Sequence, residues 1–321
     1  MVIISLGDGH IRVRILLFVC LSMIALFLAA LAYNGAVGSD HMQSSAVNWS
    51  SVEAAMGMRG DVSPDGVIKF EIPRSLIVNV DGVNLASGSD GASEFEFMGS
   101  GNRSMMVGEI MLKEDEVTNV TRMLAESGIN ETALHNHLLR ASPHIMWLHV
   151  CGEGDPVEMA ITIRNITSML GGAAQARENT IPFTGPEASS LDRIMGVKGE
   201  VGDGVYGFSI PRADAITMNG MELAQEMDIS SDISFQPLGN GTAAVIGELV
   251  LEKSEVGPVM RSLAGNGVEV TALHSHMITE EPRLFYLHCW KVGNATEIAG
   301  SLREALDRTN SSVSRASSAT F

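Results

Sequence analysis

Six histidines fall into two matching sets. His135 and His137 lie in Thr132-Ala133-Leu134-His135-Asn136-His137-Leu138, and the segment returns 139 residues later as Thr271-Ala272-Leu273-His274-Ser275-His276-Met277. At the same spacing His149 matches His288, and Glu109 matches Glu248. Two residues separated by one share a face of a strand. His135 and His137 therefore point the same way, as do His274 and His276. A second strand follows each pair across a short turn, at Arg140–Pro143 in the first copy, which sets His149 opposite His135 and Trp147 opposite His137. Tyr286 takes the place of Trp147 in the second copy. Three imidazoles on one patch of a rigid ribbon suit a divalent metal ion, Zn, Cu, Ni or Fe. Glu109 and Glu248 sit inside apolar strands, where a carboxylate needs a partner. Each is either a fourth ligand or a group that orients an imidazole through its second nitrogen. A single histidine on such a face is more often a core residue held by hydrogen bonds. Three on one face in each of two diverged copies favour metal.

Other residues are weighed against this pattern. Pro73-Arg74 returns as Pro211-Arg212, and Arg74 is read either as a partner of a carboxylate such as Glu109 or of a bound anion, or as a solvated strand end. His144 has no counterpart in the second copy, and His10 and His41 precede the repeats, so none of the three is counted as a ligand. Cys151 and Cys289 do not correspond between copies and do not form a disulfide framework, although a single bridge between them stays open. The chain has no nucleophile elbow, phosphate loop or dinucleotide fingerprint.

The elements that position these residues read alike in both halves. In the first, strands are predicted over Gly66–Ile72, Ser75–Val80, Glu94–Phe97 and Ser104–Leu112. A helix over Asp115–Ser127 is stopped by Gly128. Strands over Thr132–Leu139 and Ile145–Cys151 precede a last helix from about Pro156 to Leu170. Each half is thus an α+β domain, a mostly antiparallel sheet covered by two helices. The domains span 51–170 and 191–308, joined by a Gly-, Pro- and Ser-containing linker over 171–190. Their complete element order predicts two separately folding units.

The 321 residues carry a net charge of −17 and a pI near 4.9, which argues against nucleic acid and anionic membrane surfaces as partners. The only expected membrane contact is through residues 1–33. There Arg12 and Arg14 precede an uncharged apolar run from Ile15 to Ala32, a transmembrane anchor or a cleaved signal peptide. Either places the rest of the chain outside the cytoplasm. Residues 34–50 read as a polar stalk and 309–321 as a disordered tail. Eight Asn-x-Ser/Thr triplets begin at Asn48, Asn102, Asn119, Asn130, Asn165, Asn240, Asn294 and Asn310, well above chance, and suggest N-glycosylation of an external surface. Asn102 and Asn240, in Gly-flanked loops, are the leading acceptors, followed by Asn130 and Asn294.

At its motifs the chain resembles the LppY/LpqO-like family, the domain of unknown function numbered 1259. The resemblance rests on VGEIMLKEDEV, ETALHNHLL and PHIMWLHVCGEGD in the first copy and on IGELVLEKSEVGPV, EVTALHSHMI and PRLFYLHCW in the second. It covers about residues 50–308. It implies a tandem domain, exported or surface-attached, and supplies no reaction. The chain lacks the lipobox that would anchor it as a lipoprotein. The leading expectation is a non-enzymatic, glycosylated surface protein with a metal site in each repeat, the metal also linking subunits into a homo-oligomer or homopolymer. The alternatives are a metal-dependent enzyme, hydrolase- or oxygenase-type, of unknown substrate, and a surface metal-capture protein.

Overall fold

Alternation in Glu94-Phe95-Glu96-Phe97 sends two fully buried rings to one side of a sheet and two carboxylates to the other. That division runs through the molecule. The computed structural model describes residues 48–100, 103–171 and 183–313. In the first repeat, α1 (Ser50–Met56), β1 (Asp61–Val62), β2 (Ile68–Pro73), β3 (Asn79–Val80), β4 (Val83–Asn84), α2 (Ser87–Asp90) and β5 (Ala92–Ser100) lead into β6 (Arg103–Lys113). Then come α3 (Val117–Ser127), β7 (Asn130–His135), β8 (Ile145–Gly154) and α4 (Pro156–Met169). The second repeat runs α5 (Gly185–Met195), β9 (Glu200–Gly202), β10 (Val205–Pro211), β11 (Thr217–Met218), β12 (Met221–Glu222), β13 (Ser230–Gly239) and β14 (Thr242–Glu252). It closes with α6 (Lys253–Gly265), β15 (Glu269–His274), β16 (Glu280–Glu281), β17 (Leu284–Asn294) and α7 (Ala295–Leu306). The two main sheets have equivalent antiparallel orders, β1-β2-β5-β6-β8-β7 and β9-β10-β13-β14-β17-β15. The fold is a tandem α+β repeat, as expected from the sequence.

Helices cover one face of each sheet. In the first repeat Phe70, Phe97, Ile110 and Leu148 pack with Val120 and Leu124 of α3 and Ile163 and Ile166 of α4. Each such fully buried side chain stabilises the fold by about 1.5–3 kcal/mol. Gly128 ends α3 in the left-handed region (φ 79), a conformation that costs a residue with a Cβ. Asp155 caps α4 through bonds from the Val157 and Glu158 amides. A helix at the start of each repeat, α1 and α5, and the short α2 of the first repeat were not expected from the sequence.

The opposite faces of the sheets pack on one another. One apolar cluster joins Val67, Met105, Val107 and Cys151 to Ile216, Met218, Val250 and Tyr286. Another joins Val80, Met111, Leu138 and Trp147 to Ala244, Ile246 and Trp290. Strands β6 and β14 are buried on both sides, which explains their nearly continuous apolar sequence. Each repeat keeps its own helix-covered core, and these two clusters join the repeats where their sheets meet.

Several boundaries move for local reasons. Trp49, placed in the stalk, is buried and donates its Nε1–H to Gly66 O at 3.0 Å. The chain is helical from Gly185, within the segment read as linker, because Thr184 and Glu187 form a capping box with a proline in the first turn. The tail is held through Val313: Ser311 bridges Arg212, and the Ser312 amide donates to Pro211 O at 2.8 Å. Only Asn79–Val80 of the expected strand Ser75–Val80 is extended in a ladder. The apolar run Ile15–Ala32 lies outside the described residues, and among those described no helix is long and apolar enough to cross a membrane. Cys151 and Cys289 are both free and buried.

Candidate metal centre

Each histidine triplet and its carboxylate are assembled on three strands of one sheet. Glu109 on β6 lies directly across from His149 on β8, and Glu248 on β14 across from His288 on β17. On the edge strand His135 is opposite Trp147, and His274 opposite Tyr286. The expected register, His149 against His135, is therefore off by two residues, an even number that leaves every side chain on its expected face. Two features cause the difference. Strand β7 bulges at Thr132, as β15 does at Thr271. The chain also leaves β7 after His135, because Ser142 pairs instead with Asn79 through two backbone hydrogen bonds of 2.9 Å. In the second repeat β16 pairs in the same way with β11.

His137 and His276 thus stand just beyond their strands, held by aromatic plates. Trp147 stacks on His137 with centroids 4.4 Å apart and planes 4° apart, and Tyr286 on His276 at 3.5 Å and 7°. The Tyr286 hydroxyl donates to Asp228 O at 2.7 Å.

The two triplets do not form separate sites. The sheets face each other with their histidine patches in contact. His135 meets His274 (ring centroids 3.6 Å), His137 meets His288 (3.9 Å), and His149 meets His276 (3.7 Å). The first pair joins equivalent residues, and the other two are reciprocal. This is the contact pattern of a two-fold interface, built here within one chain. Within the first repeat the Nε2 atoms of His135 and His149 are 3.0 Å apart, and Glu109 Oε2 is 3.6 Å from His137 and 3.7 Å from His149. In the second, Nε2 of His274 and His276 are 2.8 Å apart, and Glu248 Oε2 lies 2.9 Å from His288 and 3.6 Å from His276.

The environment favours the neutral form of His135, His137, His149 and His276. His137, His149 and His276 are pushed well below the ordinary imidazole range, first by loss of water and then by neighbouring imidazoles. His135 falls to about 3 for the same reasons, with His288 as the neighbour that acts on it. A neutral imidazole has the lone pair that a metal needs.

Donor atoms group within 4.8 Å of one another as Glu248, His274, His276 and His288; as Glu109, His137 and His149; and across the repeats as His135, His149 and His274, or His135, His137 and His288. Two nitrogens on a tetrahedral metal stand roughly 3.4 Å apart when each bond is about 2.1 Å. Small side-chain movements therefore bring these sets onto an ion. All eight donors expected from the sequence stand in this one region.

Asp228 was missed. It makes a short hydrogen bond to His276 Nδ1 and is pushed well above the usual carboxylate range, first by burial and then by Glu248. The hydrogen bond between the two groups holds the ring with Nε2 facing the centre. The signal was present, since Asp90 and Asp228 repeat at the 138-residue spacing of Arg74 and Arg212. The arginines play no part in the centre. Arg74 binds Glu116, not Glu109, at 2.7 and 3.0 Å and donates to Met111 O. Arg212 likewise binds Glu255 at 2.7 Å and donates to Val250 O. Both guanidiniums tie a strand end to the helix that follows β6 or β14. His144 is exposed, and His10 and His41 lie outside the described residues.

The fold and centre define a tandem α+β protein whose two sheets meet through a shared cluster of histidine and carboxylate donors. The family model described as Domain of Unknown Function (DUF1259) matches residues 50–169 and 189–308, and the chain belongs to that family. No curated protein matches it. Among solved structures it shows a likeness to PduB, a trimeric bacterial microcompartment shell protein, at 10% identity over 78% of this chain and 90% of that one, with a TM-score of 0.19.

Proposed function

We propose that the protein is an exported, cell-surface metal-binding protein whose two repeats jointly hold divalent transition metal, Zn, Cu, Ni or Fe, at the six-histidine centre. The contact of His149 with His276, with its counterpart between His137 and His288, carries this reading. It brings imidazoles from both repeats into one donor set. The His-bearing faces close on each other within one chain, so binding needs no second subunit. Exposure at Asn48, Asn119, Asn130, Asn165, Asn240, Asn294 and Asn310 supports N-glycosylation and export, while Asn102 lies outside the described residues. Elemental analysis after mild purification and reloading tests the metal reading. Stoichiometric metal is expected, and none after reloading with each of the four ions refutes it. Intact-mass measurement of the native protein tests for sugars.

A metal-dependent enzyme is the second reading, favoured by an open cavity of about 750 Å³ that reaches Glu109, His137, Glu248 and His288. A metal held there would supply a Lewis acid or activated water. The chain's own part would be to position the ion and admit a substrate.

A further inference from the structure

The cavity beside the histidine centre has an unusual wall. Its lining holds ten carboxylates and two lysines, and no arginine. The carboxylates are ordered in rows. Across β2, β5, β6 and β8, Glu71 lies directly opposite Glu94, Glu94 opposite Glu109, and Glu109 opposite His149. The second sheet repeats the inner part of the row, with Asp232 opposite Glu248 and Glu248 opposite His288. Like charges placed directly across strands destabilise a sheet. Three carboxylates in line therefore work against folding. Lys69 binds Glu94 and stands 3.4 Å from Glu96, which offsets only part of this charge. The row also has a destination. His288, 2% exposed, lines the same cavity, and its Nδ1 has no hydrogen-bond partner.

We propose that this acid-lined cleft is the entry path for hydrated divalent cations, which the rows Glu71–Glu94–Glu109 and Asp232–Glu248 pass inward to the six-histidine centre. The inference rests on the metal-binding reading above and adds a route and a selectivity. Directly opposed residues have Cβ atoms about 4.5–5.5 Å apart. A cation can therefore exchange one carboxylate for the next without returning to bulk water. A cleft lined mostly by one sign of charge also raises the local concentration of counter-ions and their association rate, by roughly 10-fold to 1000-fold at low salt. Glu109 and Glu248 are shared by the row and the donor sets. Glu94 and Asp232 are not among the donors, so altering them leaves the donor sets complete.

Stopped-flow loading of the metal-free full chain with Co²⁺, followed by its visible absorption, separates route from site. For the wild type, the second-order loading rate is expected to fall steeply as ionic strength rises from about 10 to 500 mM. In Glu94→Gln with Asp232→Asn, it is expected to fall roughly 10-fold or more at low salt. Equilibrium stoichiometry and affinity, read by competition with a chelator, should stay within about 2-fold in the same variant. Glu94→Lys alone should slow loading further. A loading rate that is independent of salt and equal in wild type and variants overturns the route while leaving the centre standing. An equilibrium stoichiometry of zero in the wild type overturns the centre and the route with it. The wild-type salt dependence does not depend on how well any variant folds.

Discussion

His149 of the first repeat lies against His276 of the second, with ring centroids 3.7 Å apart and planes 23° apart. One ring comes from the middle of β8, and the other from just beyond the end of β15. The contact exists only because two sheets of one chain meet face to face. It makes the donor arrangement of each repeat depend on the other.

Substitution in one repeat should therefore be felt in both. His135→Ala with His137→Ala removes two rings that pack on His274 and His288. Metal remaining at the second-repeat donors should bind more weakly, by about 5-fold to 150-fold if the coupling is of ordinary size. Calorimetric titration of the variant against wild type measures this. A variant that retains half the metal at unchanged affinity would mean that the two triplets are independent.

The metal-free protein should lose stability in mild acid. His135 titrates at about 3 in the folded chain and near 6.5 when unfolded, so between those values the unfolded chain binds more protons. The stabilisation is complete above about pH 6.5 and is lost as pH falls toward 3. His137, His149 and His276 are shifted in the same direction and steepen the loss. Thermal unfolding from pH 8 to pH 4 should show a falling midpoint, with a smaller fall when His149 is replaced by Gln. An unchanged midpoint across that range contradicts the burial argument.

Residues 48–171 expressed alone should not behave as a soluble monomer. Val107, Met111, Trp147 and Cys151 would lose the partners they have in the second repeat, exposing a contiguous apolar face. Self-association or precipitation is expected. Size-exclusion chromatography and circular dichroism showing a folded monomer would restore the reading of two independent units.

Arg212→Met should be among the most damaging single changes. It leaves Glu255 without the guanidinium that binds it through two nitrogens at 2.7 and 3.2 Å. Removing one partner of a buried pair typically costs about 3–5 kcal/mol. Urea unfolding of the metal-free protein reads the loss, and Glu255→Gln with Arg212→Met should recover part of it. A cost below about 1 kcal/mol would reduce the pair to a surface-type ion pair.

Much of this protein was legible in the amino-acid order because the relevant signals are local or repeated. Alternation along Glu94–Phe97, the apolar stripe of Val120 and Leu124, and Gly128 at a helix end each follow from backbone geometry within a few residues. Repetition of His135, His137, His149 and Glu109 at one fixed spacing singled out the donors without any knowledge of their surroundings. The bulges at Thr132 and Thr271 were not legible, since nothing in either residue requires one. The departure of the chain after His135 was hidden for a related reason, because it depends on Ser142 finding Asn79. The decisive feature, the meeting of the two histidine faces, was decided by tertiary structure alone. Sequence shows that β6 and β14 are apolar along nearly their whole length, but apolar burial is non-directional and does not name the partner. Only the packed chain shows that each sheet covers the other, and that two three-histidine patches become one centre.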